Sequence, residues 1–219
     1  YGVDYNILTV VTQKTAGHAA EIYNYYKEQG WKYQQYIACL DPLGEDRGKT
    51  PYALNPEQYG MFLTELFNLW YEDWKKGEQP YIRQFENYIG ILLGYQPESC
   101  EQRGSCGTQN VVEADGSVYP CDFYALDEYK LGNFNCNRLE EIDKKRKEIA
   151  FVEQSQIVAE NCKNCKFYKI CKGGCRRNKD FNAMNGEYEN YFCKSYRIFF
   201  DICLERMIQI VEIIKNQKG

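Results

Sequence analysis

The first apolar segment, Tyr5 to Thr12 (YNILTVVT), is β-branched and nearly uncharged, which predicts a buried strand. The next segment, TAGHAAEIYNYYKEQG, changes to a helical period and closes on Gly30, a residue suited to a helix C-terminus. YQQYIACL then predicts a second strand. Strand, helix and strand in this order make a βαβ unit, which implies a parallel pair with a right-handed crossover. The polar loop that follows, DPLGEDRGKTP, belongs on the ligand-bearing face of such an architecture. Asn55-Pro56-Glu57-Gln58 reads as a helix start, with an N-cap followed by proline at the first helical position. Tyr59, Phe62, Leu63, Leu66, Phe67, Trp70 and Trp74 continue it at helical spacing as a core stripe. A further helix is predicted from about Tyr81 to Leu93.

Beyond Gly94 the periodicity breaks into short strands, turns and cysteines. NVVEADGSVYPC predicts a hairpin about Asp115-Gly116, a dipeptide that suits a type I′ turn. One helix is expected from roughly Asn137 to Phe151. A long one runs from about Ser195 to Asn216, with Tyr196, Phe199, Phe200, Cys203, Met207, Ile210, Val211 and Ile214 as its buried stripe.

Composition adds limits. The 219 residues are 44% apolar and 26% charged, enough for a substantial core. A net charge of −4 argues against nucleic acid as the main partner, and Lys144 to Lys147 and Arg176-Arg177 read as solvated faces. No apolar run is long enough to cross a bilayer. The start, Tyr1-Gly2-Val3, carries neither Met nor a signal-peptide pattern, which suggests a fragment or processed product.

The cysteines change the picture. There are 11, and eight follow one pattern: Cys100, Cys106, Cys121, Cys162, Cys165, Cys171, Cys175 and Cys193. A small loop-rich region needs staples, and these eight thiols could form four disulfides, two zinc sites or two iron–sulfur clusters. The odd total and the Cys162-x2-Cys165 spacing favour metal over disulfides, and leave zinc and iron–sulfur both open.

The whole pattern resembles that of SPASM domains, the C-terminal extensions of peptide-modifying radical S-adenosylmethionine (SAM) enzymes. Nine residues separate Cys106 from Gly116, and four separate Gly116 from Cys121; Cys162-x2-Cys165-x5-Cys171-x3-Cys175 and Cys193 follow, with Cys100 as an eighth thiol. LGNFN after the hairpin and YPCDFY, with an acid after a cysteine, resemble the clostridial type of anaerobic sulfatase-maturating enzymes. The likeness covers essentially the whole chain. It implies an α/β and α+β fold: the last strands and helices of a partial (β/α)6 barrel over residues 1–95, then a SPASM domain over residues 96–219 with a β-hairpin and a long terminal helix.

The resemblance implies one auxiliary 4Fe–4S cluster on Cys100, Cys106, Cys121 and Cys175, and another on Cys162, Cys165, Cys171 and Cys193. It makes Asp122 the general base, and it places Leu40 and Asp41 against the adenosyl group of SAM. The Cys-x3-Cys-x2-Cys motif for the third, SAM-cleaving 4Fe–4S cluster does not occur here, so this stretch alone is expected to be inactive. The implied reaction oxidises a sulfatase Cys or Ser to formylglycine in the cytoplasm. Its partners would be an unfolded sulfatase polypeptide and a flavodoxin or ferredoxin, with no nucleic acid and no membrane. The alternatives are another peptide modification, such as thioether cross-linking, and a zinc-stabilised binding module. His18 is expected at a surface or in packing, and Cys39 and Cys136 as free buried thiols.

Overall fold

The computed structural model describes residues 2–3 and 5–218; Tyr1, Asp4 and Gly219 lie outside the described residues. Its front part is a three-stranded parallel sheet in the order β1 (Ile7–Val11), β2 (Tyr33–Ala38), β3 (Tyr81–Ile82). Helix α1 (Ala19–Glu28) connects β1 to β2, and α2 (Pro56–Trp74) connects β2 to β3. Register pairs Ile7 with Gln34 and Val11 with Ala38. The two-residue β3 pairs Tyr81 with Tyr33 and leads directly into α3 (Arg83–Leu92). Sequence periodicity reads β3 as the first turn of α3, because a two-residue strand has no period of its own. Tyr81 becomes strand by pairing with β2, its N–H donating to Lys32 O at 2.7 Å.

Strand β1 is buried on one side only. Leu8 is 63% and Val10 52% exposed, while Val11 is buried and Thr9 bonds to Tyr26 of α1 at 2.9 Å. The expectation of a buried strand therefore holds for the face that α1 covers and not for the other.

Helix α2 starts as its sequence directs. Pro56 occupies the first turn, and Asn55 Oδ1 accepts the Glu57 N–H at 2.8 Å. Its stripe packs against α9 (Cys193–Lys218), which starts two residues before its expected start. Phe67 meets Phe85 at 5.2 Å and Phe199 at 5.9 Å between ring centroids. Residues of α2, α3 and α9 share one core, which ties the terminal helix to the parallel sheet. Full burial of side chains such as Phe199, Phe200, Met207 and Ile210 contributes about 1.5–3 kcal/mol each.

Between α3 and α9 the chain forms short elements. These are α4 (Cys100–Arg103), the antiparallel sheet β4 (Val111–Val112), β5 (Ser117–Tyr119) and β6 (Gly132–Asn133), then α5 (Leu139–Glu148) and α6 (Phe151–Ser155). After them come α7 (Glu160–Lys163), α8 (Tyr168–Cys171) and the hairpin β7 (Lys179–Asn182) to β8 (Glu187–Asn190). The turn between β4 and β5 is not type I′. Only Gly116 has a positive φ, +85°, and its N–H donates to Glu113 O, while the Glu113 N–H donates to Ser117 O. This is the longer loop with a glycine bulge, which needs one left-handed residue rather than two. The helix expected over 137–151 is broken at Ala150, φ +47°. The break turns Phe151 into a small core with Tyr124 and Tyr129.

Candidate functional site

Eight thiols separate into two groups in space. Cys162 sits in α7, Cys165 and Cys171 at either end of the turn leading through α8, and Cys193 at the first residue of α9. All four line one cavity of about 350 Å³, walled on the apolar side by Phe167, Tyr196 and Phe200. Cys193 reaches the other three only because the β7–β8 hairpin folds back and α9 starts at the cavity. Among the described residues no three His, Cys, Asp or Glu side chains converge closely enough to hold a single ion. The four thiols surround a volume instead, and a donor set of four cysteines about such a space fits an iron–sulfur cluster.

The second group is assembled by Cys175. Its thiol is close enough to Cys100 and Cys106 for their charges to interact, and Cys106 is likewise close to Cys121. Cys100, Cys106 and Cys175 line a space of only about 10 Å³. The donors suit a cluster, and seating one requires these thiols to open outward. Burial pushes Cys171 up to about 12 and, together with a hydrogen bond to Asp122, Cys121 up to about 12; Cys100, Cys162, Cys175 and Cys193 are also raised by burial. Metal uptake by such thiols must release protons.

A larger cavity, about 680 Å³, lies beyond the C-terminal end of β2. Its walls include Leu40 and Asp41 after β2, Gln84 in α3, Asp122 and Cys175. Asp122 is exposed, on the 3-10 turn Asp122–Tyr124 that follows β5, where Cys121 Sγ–H donates to its Oδ1 at 3.1 Å. Asp41 is 1% exposed. Its carboxylate accepts the Gly48 N–H at 2.7 Å and the Thr50 N–H and hydroxyl at 2.8 Å. Burial alone would raise it, but these hydrogen bonds hold it below the usual carboxylate range. Its side chain therefore organises the loop, and Asp41 offers the cavity mainly backbone. The loop is fastened to the cysteine-rich part from two sides. Arg47 forks onto Asp180 of β7 at 2.6 and 2.8 Å, and Arg177 donates to Asp41 O.

A family model described as SPASM, an iron–sulfur cluster-binding domain, matches residues 100–166. The cysteine-type anaerobic sulfatase-maturating enzyme of Clostridium perfringens (strain 13) is 46% identical over 215 residues, 98% of this chain and 58% of that protein. The chain belongs to the anaerobic sulfatase-maturating enzyme family. Another member, the cysteine-type enzyme of Clostridium novyi, is 42% identical over 98% of this chain and 57% of its own length. Within the family, the solved structure of native anSMEcpe with bound AdoMet and Cp18Cys peptide superposes with a TM-score of 0.90 at 44% identity, over 97% of this chain and 59% of that one. The chain thus spans less than two thirds of the relatives it matches.

Several expectations need correction. Arg177 is not part of a solvated face: it is 7% exposed, and burial first, then the charge of Arg47, lowers its pKa. Arg146 is buried too, its guanidinium bonded to Asn110. Basic doublets and runs read as surface because local sequence does not show what folds over them. Cys136 is exposed in the turn after β6, and Cys39 is only half-buried. His18 lies at the surface, as expected, and bonds Glu21 at 2.8 Å. Gln84 lines the cavity without any local signal in the sequence, since nothing there distinguishes it from other helical glutamines. No helix among the described residues is long and apolar enough to cross a membrane.

Proposed function

We propose that the chain serves in a radical SAM enzyme that oxidises a target cysteine of a sulfatase to formylglycine. Residues 1–95 would supply later strands and helices of a partial (β/α)6 barrel. The order β1-β2-β3, all parallel with helices between, supports this, and so does the face of β1 carrying Leu8 and Val10, which stands open opposite α1. Residues 96–219 would form the SPASM domain. Its two auxiliary 4Fe–4S clusters would be held by Cys100, Cys106, Cys121 and Cys175, and by Cys162, Cys165, Cys171 and Cys193.

One observation carries the reading: Asp122 and the end of β2 line a single cavity that Cys100 and Cys175 also line. Bound SAM and the clusters would supply what side chains lack, removal of a hydrogen atom from the target Cβ and uptake of one electron. The chain's own contribution is proton transfer and positioning. The substrate must lose a proton as its carbon–sulfur bond becomes a thioaldehyde, and the Asp122 carboxylate stands at the cavity to take it; water then replaces the sulfur, which leaves as hydrogen sulfide, and gives the aldehyde. Deprotonation of Cys121 removes the thiol donor from Asp122 Oδ1 and frees that oxygen. The backbone at Leu40 and Asp41 would border the adenosyl group, and the Asp41 carboxylate keeps that loop in place. Electron exchange would involve a flavodoxin or ferredoxin in the cytoplasm.

The test is D122N in the whole enzyme, purified without oxygen and given a sulfatase-derived cysteine peptide. Mass spectrometry should show aldehyde formation cut by about 10²-fold or more at unchanged iron content. Wild-type turnover in D122N would remove Asp122 from the mechanism, and no aldehyde from the unaltered enzyme would overturn the sulfatase reading. A zinc module predicts instead a colourless protein with zinc and no iron.

A further inference from the structure

Buried polar side chains in folded proteins are hydrogen-bonded, so an unpaired atom needs a reason. Among the described residues, two buried side-chain atoms without a partner belong to residues that line the 680 Å³ cavity: Gln84 Oε1 and Arg177 Nη1. Gln84 and Arg177 are each only 7% exposed. Neither is free to turn away. Gln84 Nε2 donates to the Tyr59 hydroxyl at 2.9 Å, and this leaves Oε1 as the open end of the amide. Arg177 is held by Nη2 on Asp41 O and by its backbone N–H on Cys175 Sγ at 3.4 Å. The carboxylate nearest in sequence, Asp180, is already gripped by Arg47. The Arg177 guanidinium thus has no ion-pair partner among the described residues.

A buried cation with a free N–H calls for an oxygen acceptor, and a buried amide oxygen calls for an N–H donor. A ligand that carries both groups repeatedly, whatever its side chains, is a polypeptide main chain. We infer that Arg177 and Gln84 read the main chain of the substrate polypeptide, with Arg177 Nη1 donating to a peptide carbonyl and Gln84 Oε1 accepting a peptide N–H. The inference rests on the sulfatase-peptide reading above and specifies how that peptide is held. It would also require the substrate to arrive unfolded. In a folded domain the main-chain groups are already paired with one another, and none would be left for these two residues.

The test uses the whole enzyme with its iron loaded and a fluorescent sulfatase-derived cysteine peptide, with affinity read by anisotropy. R177Q should raise the peptide Kd by about 10- to 100-fold, and Q84M by about 5- to 50-fold, because each leaves one polar partner unpaired. Iron content, far-UV circular dichroism and affinity for SAM should stay unchanged. A series of peptides with one amide at a time replaced by an ester supplies a readout that general damage would not move. The ester that removes the N–H facing Gln84 should weaken binding to the unaltered enzyme and add little further loss in Q84M. The inference is overturned if R177Q and Q84M bind peptide as tightly as the unaltered enzyme, if their losses fall on SAM instead, or if no ester position couples to Q84M. In each of these cases the sulfatase reading survives, because the unaltered enzyme still binds the peptide. Failure of the unaltered enzyme to bind it would overturn both.

Discussion

Gly60 lies in α2 where that helix touches α9. A Cβ built there would stand 3.0 Å from Ser195 O, 3.1 Å from Ser195 Cα and 3.1 Å from Ile198 Cβ. Two of the three are backbone atoms. Ser195 cannot withdraw easily, because it is fully buried and its hydroxyl donates to Pro56 O at 2.5 Å. In an open helix, glycine to alanine gains about 1 kcal/mol. Overpacking a tight contact costs about 1–3 kcal/mol. G60A should therefore lose up to about 2 kcal/mol net, a fall of up to roughly 8 °C in Tm for a chain of this size. Gly90 in α3 provides the internal control: a Cβ there meets only Tyr95 Cβ, at 4.0 Å, so G90A should raise Tm instead. The assay is thermal unfolding followed by circular dichroism on iron-loaded protein without oxygen, the two variants side by side. Equal and positive shifts would refute the close α2–α9 contact, and with it the joint that ties the terminal helix to the parallel sheet.

Burial alone would raise the Asp73 carboxyl, but hydrogen bonds from Lys27 at 2.6 Å and Tyr23 at 2.8 Å, with the Lys27 charge, hold it below the usual carboxylate range. Its stabilising contribution is complete above the unfolded value near ~4 and is lost as pH falls through the lowered folded value. D73N should thus be less stable than the parent at pH 7 and closer to it at pH 3; urea midpoints at the two pH values check this, and a constant gap would contradict it. Glu86 is opposite in sign, since burial pushes it up to about 7. The folded state then binds the extra proton, and stability falls as pH rises from about 4 through 7. E86Q should stabilise the protein at pH 8 and change little at pH 4, and the same urea series decides it. Cysteine replacements separate the two thiol groups: C175A and C193A should each lose about four of about eight irons, and loss of all iron in either would show that the groups do not load independently.

Local sequence settles what short-range physics controls. Asn55-Pro56 starts a helix because the cap and the proline act within one turn, and the apolar stripe from Tyr196 to Ile214 makes a helix bury one face wherever it lies. The cysteine spacing, taken as a whole, carries the family likeness. Other features depended on residues distant in the chain. Tyr81 is strand because Lys32 and Tyr33 lie beside it. Arg177 is buried because the loop after β2 folds over it, and no neighbour in sequence announces that. Asp115-Gly116 suits two turn types, and the pairing of β4 with β5 selects the one needing a single left-handed residue. The eight thiols form a single series along the chain, yet Cys175 faces Cys100 and Cys106 while Cys193 faces Cys171. Spacing limits which thiols can meet; only the packing of the hairpins and α9 decides which do, because burial and charge contact are properties of the assembled core rather than of any segment.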